Sequence, residues 1–117
     1  MDKLEEITRN RKKAHARLVA LKSEVYAAFL EMEAATYRDG ALAKKHKELI
    51  AVGISVAKDC QSCMQWHIEQ AAAAGASHQE ILEALEVAIE MGGGPATVAA
   101  RFALDVLDNV VMPERER

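Results

Sequence analysis

The chain has 117 residues, 50% of them hydrophobic, 28% charged and 4% aromatic, with a net charge of −3. That apolar content with so little net charge excludes a disordered chain, and the absence of a basic excess excludes a strong nucleic-acid binder. Length sets one domain as the expectation. Few aromatics, two prolines and abundant alanine exclude a sandwich or barrel and predict an all-α protein. A domain this small buries only about two thirds of its unfolded surface, so self-association is expected. No run approaches the roughly 18 uninterrupted apolar residues of a transmembrane helix. The start, Met1-Asp2-Lys3-Leu4-Glu5-Glu6, has no apolar signal-peptide core. The expectation is a cytoplasmic protein with neither membrane nor nucleic acid as partner.

In chain order, Leu4, Ile7, Ala14, Leu18, Leu21, Val25, Phe29 and Met32 recur at helical steps and predict helix up to about Tyr37. Ser23 followed by Glu24 is a capping signal, so a bend near Lys22 divides this segment into two helices. The basic cluster from Arg9 to Lys13 reads as a solvated face. Asp39-Gly40 is a turn signal. The next helix is expected from about Ala41 to Lys58, with Leu42, Leu49, Val52 and Val56 on one side. Asp59 is the expected N-cap of a helix that starts at Cys60 and ends at Ala74, with Gly75 as its C′ residue. Ser77-His78-Gln79-Glu80 matches a capping box, and Ile81, Leu82, Leu85, Ala88 and Ile89 give that helix its apolar face. Gly92-Gly93-Gly94 breaks the chain, and Pro95 suits the first turn of a last helix. The apolar positions there are Val98, Phe102, Val106 and Val110, with Leu104 and Leu107 beside them. Pro113 and the charged tail after it are expected to end the order. The triple glycine follows a helix rather than a strand and lacks a P-loop lysine. It therefore reads as a turn that lets two helices approach closely.

The chemistry concentrates between Glu48 and His67. Cys60 and Cys63 form a single C-x-x-C, which in a reducing compartment reads as a redox pair or a metal half-site. In the first turn of a helix, free N–H groups and the dipole favour thiolate over thiol. The dipole supplies only about 0.3–1 kcal/mol, so a base is needed as well. His67 follows Cys63 by one turn on the same face and can accept the thiol proton. Glu48, on the preceding helix, can orient and polarise His67 or take the proton through water. Spacing alone unites Cys63 with His67; uniting Glu48 with them requires that two helices pack in a particular way. Helical positions i and i+3 hold their Cβ atoms about 5–6 Å apart, whereas a disulfide wants ~3.8 Å. A bridge here is feasible in a loosened first turn and somewhat strained, and strained, exposed disulfides are the readily reduced ones.

Glu48, eleven residues, Cys60-Gln61-Ser62-Cys63, three residues, then His67 reproduces E-x11-C-x2-C-x3-H. In this the chain resembles the AhpD-like alkylhydroperoxidases of the carboxymuconolactone decarboxylase superfamily. Lys47-Glu48-Leu49-Ile50, Gly75-Ala76-Ser77 with Glu80-Ile81, and Met91-Gly92-Gly93-Gly94-Pro95-Ala96 extend the resemblance over roughly residues 37–110. The resemblance implies an all-α AhpD-like helical bundle, one domain over 1–117, with helices in 1–38 contributing to contacts between copies in a homo-trimer or homo-hexamer. It implies a thiol-dependent hydroperoxidase. Cys63 would attack the peroxide, Cys60 would resolve the sulfenic acid to a disulfide, and His67 and Glu48 would relay protons. A dithiol reductant would restore the pair, whether a lipoyl protein, a thioredoxin-like protein or a small thiol. The decarboxylase branch lacks the cysteine pair, so decarboxylation is disfavoured. The residues themselves agree on Cys63 because of His67, but the dipole favours Cys60, nearer the helix start.

Other readings stand beside this one. The pair can act as a redox sensor in a non-catalytic or assembly subunit, and Cys60, Cys63, His67 and Glu48 are all valid zinc ligands. The peroxidase reading calls for no cofactor and no resident metal. Met64 and Trp66 read as core or subunit-contact residues before entrance residues. His15, His46 and His78 read as surface residues.

Overall fold

The computed structural model describes residues 2–113, and among them there are six α-helices and no strand. The expected tail after Pro113 lies outside the described residues. The chain divides into two compact units, residues 1–38 and 39–117.

The first unit pairs α1 (Lys3–Ala20) with α2 (Glu24–Thr36). Asp2 caps α1 by accepting the Glu5 N–H, and Ser23 caps α2 by accepting that of Tyr26. Between them Lys22 adopts φ 57°. Its N–H reaches the Val19 carbonyl and that of Ser23 reaches Leu18, which closes α1 with a Schellman turn. The expected bend at Lys22 and cap at Ser23 are therefore both present. Neither helix holds a buried residue within the chain. Val25 is 82% exposed and Met32 58%, so the apolar stripe of helical period exists but covers no core of its own. His15 finds a partner: its Nδ1 is hydrogen-bonded to the Tyr26 hydroxyl across the two helices.

The second unit is built from α3 (Lys44–Ala57), α4 (Gln61–Ala73), α5 (His78–Gly92) and α6 (Gly94–Val110). α3 packs on α4 and α5, and α6 packs on α3, α4 and α5. Val52, Val56, Met64, Ile68, Ile81, Leu85, Val106 and Leu107 are at most 1% exposed. Each such side chain contributes about 1.5–3 kcal/mol relative to an exposed one. Met64 is thus core, as expected. α3 starts three residues later than expected, at Lys44. The Asp39 carboxylate reaches past the turn to accept the Lys44 N–H at 2.7 Å, since the N-cap, Ala43, has no side chain to do so.

The expected face of α6 needs correction in part. Val98 is 54% exposed, Leu104 41% and Val110 37%. The buried positions are Ala96, Ala99, Ala100, Ala103, Val106 and Leu107. A helix that meets three neighbours needs a face its partners can approach closely, and small residues give that. Val106 and Leu107 are buried as expected, but weighting large apolar residues above alanine misplaces Val98, Leu104 and Val110. At the α5–α6 junction the capping glycine Gly93 has φ 68°. A Cβ on Gly92 would lie 2.7 Å from the Cβ of Ala96, so the close approach read from the triple glycine is real. The Ser77–Glu80 capping box is complete in both directions.

Candidate redox site at the start of α4

The turn that creates the site differs from expectation at one residue. Asp59 is not the N-cap of α4; it sits in the left-handed region at φ 52°. Its N–H reaches the Val56 carbonyl, and the Cys60 N–H reaches Ser55. This is a Schellman turn that ends α3, and aspartate tolerates the left-handed position it requires. Cys60, extended at φ −106° and ψ 99°, is then the N-cap, and α4 begins at Gln61. The Cys60 Sγ takes the place of a serine hydroxyl and accepts the Cys63 N–H at 3.2 Å.

Cys60 therefore lies outside the helix while Cys63 lies inside its first turn. The i,i+3 spacing of two helical residues does not apply. Their Cα atoms are 5.2 Å apart and the two sulfurs are joined in a disulfide. Both cysteines are half-buried. Since each sulfur is bonded to the other, neither is a thiolate ligand here. Among the described residues, no group of three or more His, Cys, Asp or Glu side chains is set to hold a metal ion.

Helix packing brings Glu48 and His67 together. Glu48 belongs to the buried face of α3, 1% exposed, and α3 packs on α4. Glu48 Oε1 lies 2.7 Å from His67 Nδ1. Its other oxygen, Oε2, accepts from the Lys44 ammonium at 2.7 Å. A carboxylate removed from water needs its lone pairs satisfied by charged or polar donors, and these two supply them. An ammonium can only donate, so Glu48 Oε2 is an acceptor. At Oε1 the direction of the hydrogen bond follows the imidazole tautomer. His67 is one turn beyond Cys63 on α4, its side chain 16% exposed.

Sequence reasoning missed Lys44 and Asp39. Lys44 carries a visible signal, an opposite charge four residues before Glu48; Asp39 had been read only as a turn residue. His78 also has a partner, the Asp108 carboxylate at 3.1 Å, thirty residues along the chain. An apolar groove between α3 and α5, lined by Ile50, Ile54, Val87 and Met91 among others, includes none of Glu48, Cys60, Cys63 and His67.

The carboxymuconolactone decarboxylase family model matches residues 23–106, which span α2 to α6 up to Val106. The chain belongs to the carboxymuconolactone decarboxylase family. Within curated proteins, it is 41% identical over 83 residues to the "uncharacterized protein 4 in cox locus" of Paracoccus denitrificans, covering 71% of this chain and 75% of that one. A Cupriavidus necator protein is 44% identical over 77 residues, 66% of this chain and 67% of its own length. Among solved structures, the apo form of a family member from Legionella pneumophila superposes with a TM-score of 0.88 at 35% identity, covering 94% of this chain and 98% of that one. A Thermotoga maritima family protein, for which a part in the antioxidative response has been suggested, gives a TM-score of 0.80 at 29% identity over 89% of this chain and 88% of its own. The all-α fold of this family is the fold seen here. Among the described residues no helix is long and apolar enough to cross a membrane.

Proposed function

We propose that this family member is a thiol-dependent hydroperoxidase that cycles Cys60 and Cys63 between dithiol and disulfide, with Glu48 and His67 as its proton relay. The observation that carries the reading is the pairing of buried Glu48 on α3 with His67 on α4, the helix that presents the disulfide. A purely structural disulfide has no use for a buried carboxylate aimed at an imidazole one turn away. The antioxidative part suggested for the Thermotoga maritima relative points the same way.

In the reduced protein, His67 Nε2 takes the proton of Cys63. The thiolate attacks the peroxide oxygen and breaks the O–O bond, giving a sulfenic acid and an alkoxide that takes a proton to leave as alcohol. Cys60, its sulfur at the helix start where the dipole favours the thiolate, attacks the sulfenic sulfur. Water leaves and the disulfide forms. A dithiol then donates two electrons and two protons by thiol–disulfide exchange and is itself oxidised. A hairpin without a buried residue (α1 and α2) fits contacts with further copies of the chain, as a homo-oligomer.

The test is single-turnover oxidation of the reduced protein by a stoichiometric alkyl hydroperoxide, read by thiol counting and intact mass. Loss of both thiols with the mass decrease of disulfide formation, reversed by a dithiol, is the expected result. Thiols that stay unreacted, or a single slow oxidation without turnover in excess dithiol, overturn the peroxidase in favour of a sensor or structural role.

A further inference from the structure

We propose that the apolar groove between α3 and α5 receives the α1–α2 hairpin of a second copy of the chain. The proposal rests on the homo-oligomer reading and deepens it by naming the two surfaces that meet.

The donor surface is α2. Val25, Phe29 and Met32 follow one another at four- and three-residue steps, so they stand on one face of the helix, and all three are exposed. A helix draws most of its stability from packing an amphipathic face, and neither α1 nor α2 has a buried residue within the chain. The stripe therefore calls for a cover from outside. The acceptor surface has the matching form. Ile50 and Ile54 are one turn apart on α3, Val87 and Met91 are one turn apart on α5, and each is more than half exposed. At Gly53 the two helices approach closely: a Cβ there would stand 3.5 Å from the Ala84 carbonyl oxygen. Two such rows flank a trough in which a third helix can lay its apolar face.

Charge selects the occupant and its orientation. α1 has six basic and two acidic side chains, whereas α5 has four glutamates and no lysine or arginine. Glu80 is already paired with Lys45, which leaves the exposed Glu83, Glu86 and Glu90 to meet a basic helix. α2 has three glutamates and no basic side chain, and α3 has three lysines against one glutamate. With α2 in the groove and α1 on the α5 side, opposite charges face each other across both halves of the contact. The reverse orientation sets the glutamates of α2 beside those of α5, which like-charge repulsion penalises. Donor and acceptor are different surfaces, so the contact runs head to tail and closes in a reciprocal pair or a ring.

The test removes one surface at a time from the full chain. Ile54→Glu spoils the groove and keeps the hairpin; Phe29→Glu spoils the hairpin and keeps the groove. Both side chains are exposed in the single chain, and circular dichroism checks the fold. Val87→Glu and Val25→Glu are the second pair should either variant not fold. By sedimentation velocity the wild type is expected to be an oligomer, and each variant a monomer at the same concentration. An equimolar mixture of the two variants is expected to give a one-to-one dimer, because one supplies an intact hairpin and the other an intact groove. Variants that assemble as the wild type does overturn the proposal and leave the homo-oligomer reading standing. So do variants that dissociate yet stay monomeric when mixed, since the two surfaces then do not meet each other. A monomeric wild type overturns both, and leaves the groove to a ligand or to another protein.

Discussion

Glu48 and His67 are nineteen residues apart in the chain and 2.7 Å apart across the α3–α4 interface. The carboxylate is on the core side of its helix, among the residues that a hydrophobic pattern would fill with leucine. Replacing such a group with an apolar one of like volume is often neutral or stabilising, while removing one partner of a buried pair is costly. A glutamate kept at such a position therefore speaks more for chemistry than for stability.

Substitution at Glu48 separates the two contributions. Glu48→Ala is expected to lower unfolding free energy by about 1–3 kcal/mol, because a cavity opens and two donors lose their acceptor; urea unfolding of the oxidised protein measures it. Glu48→Ala and His67→Ala are both expected to slow peroxide turnover on the order of 10²–10⁴-fold. Either variant is also expected to move the thiol-alkylation profile of the reduced protein to higher pH. An unmoved profile removes the relay.

The two cysteines are expected to fail differently. Cys63→Ser abolishes peroxide reduction and leaves the helix content intact by circular dichroism. Cys60→Ser allows one oxidation, trapped by a sulfenic-acid reagent as a mass addition, but no disulfide. Full turnover in Cys63→Ser would reassign the attacking sulfur to Cys60, which the helix start favours.

Gly92 offers a test with a change of sign. Alanine is about 1 kcal/mol better than glycine inside a helix, yet here the added Cβ would meet that of Ala96 at 2.7 Å. Gly92→Ala is expected to destabilise by about 1–3 kcal/mol, as overpacking does. Combined with Ala96→Gly, the same Gly92→Ala change is expected to cost much less than it does alone. A thermal-unfolding double-mutant cycle reads the coupling.

One capping residue contributes to acid sensitivity. The Ser77 backbone N–H and the Lys45 ammonium hold the Glu80 carboxyl below its ordinary value of 4.5. A carboxyl lowered on folding adds stability that is fully present above the unfolded value and is lost as pH falls through the folded one. The contribution therefore disappears below about pH 4.5. Glu80→Gln is expected to flatten this part of the stability–pH curve measured by thermal unfolding, while leaving thiol reactivity at neutral pH unchanged.

Helices and caps were legible in the residues because their causes are local. Ser23, Gly75 and the Ser77–Glu80 box are each settled by neighbours within a few positions. The buried face of α6 was legible only at Val106 and Leu107, because alanine is uninformative until the partners of a helix are known. Asp59 was misread because the same residue type serves an N-cap and a left-handed C′ position, and only the length of the turn distinguishes them. Glu48, Cys60, Cys63 and His67 were legible as a spacing, but the meeting of Glu48 with His67 depends on helix packing. The part of Lys44 was hidden for the same reason: a charge four residues from another is common on any helix surface, and its value here comes from the burial of Glu48.

Ala99, Ala100 and Ala103 leave α6 no volume to surrender. α4 packs against that helix and carries both Cys63 and His67, so a larger side chain on the α6 face toward α4 is expected to shift them. In an exhaustive substitution survey scored by thiol reactivity alone, these three positions are expected to be about as intolerant as the cysteines, and only a parallel score for folding would tell the mould from the tool.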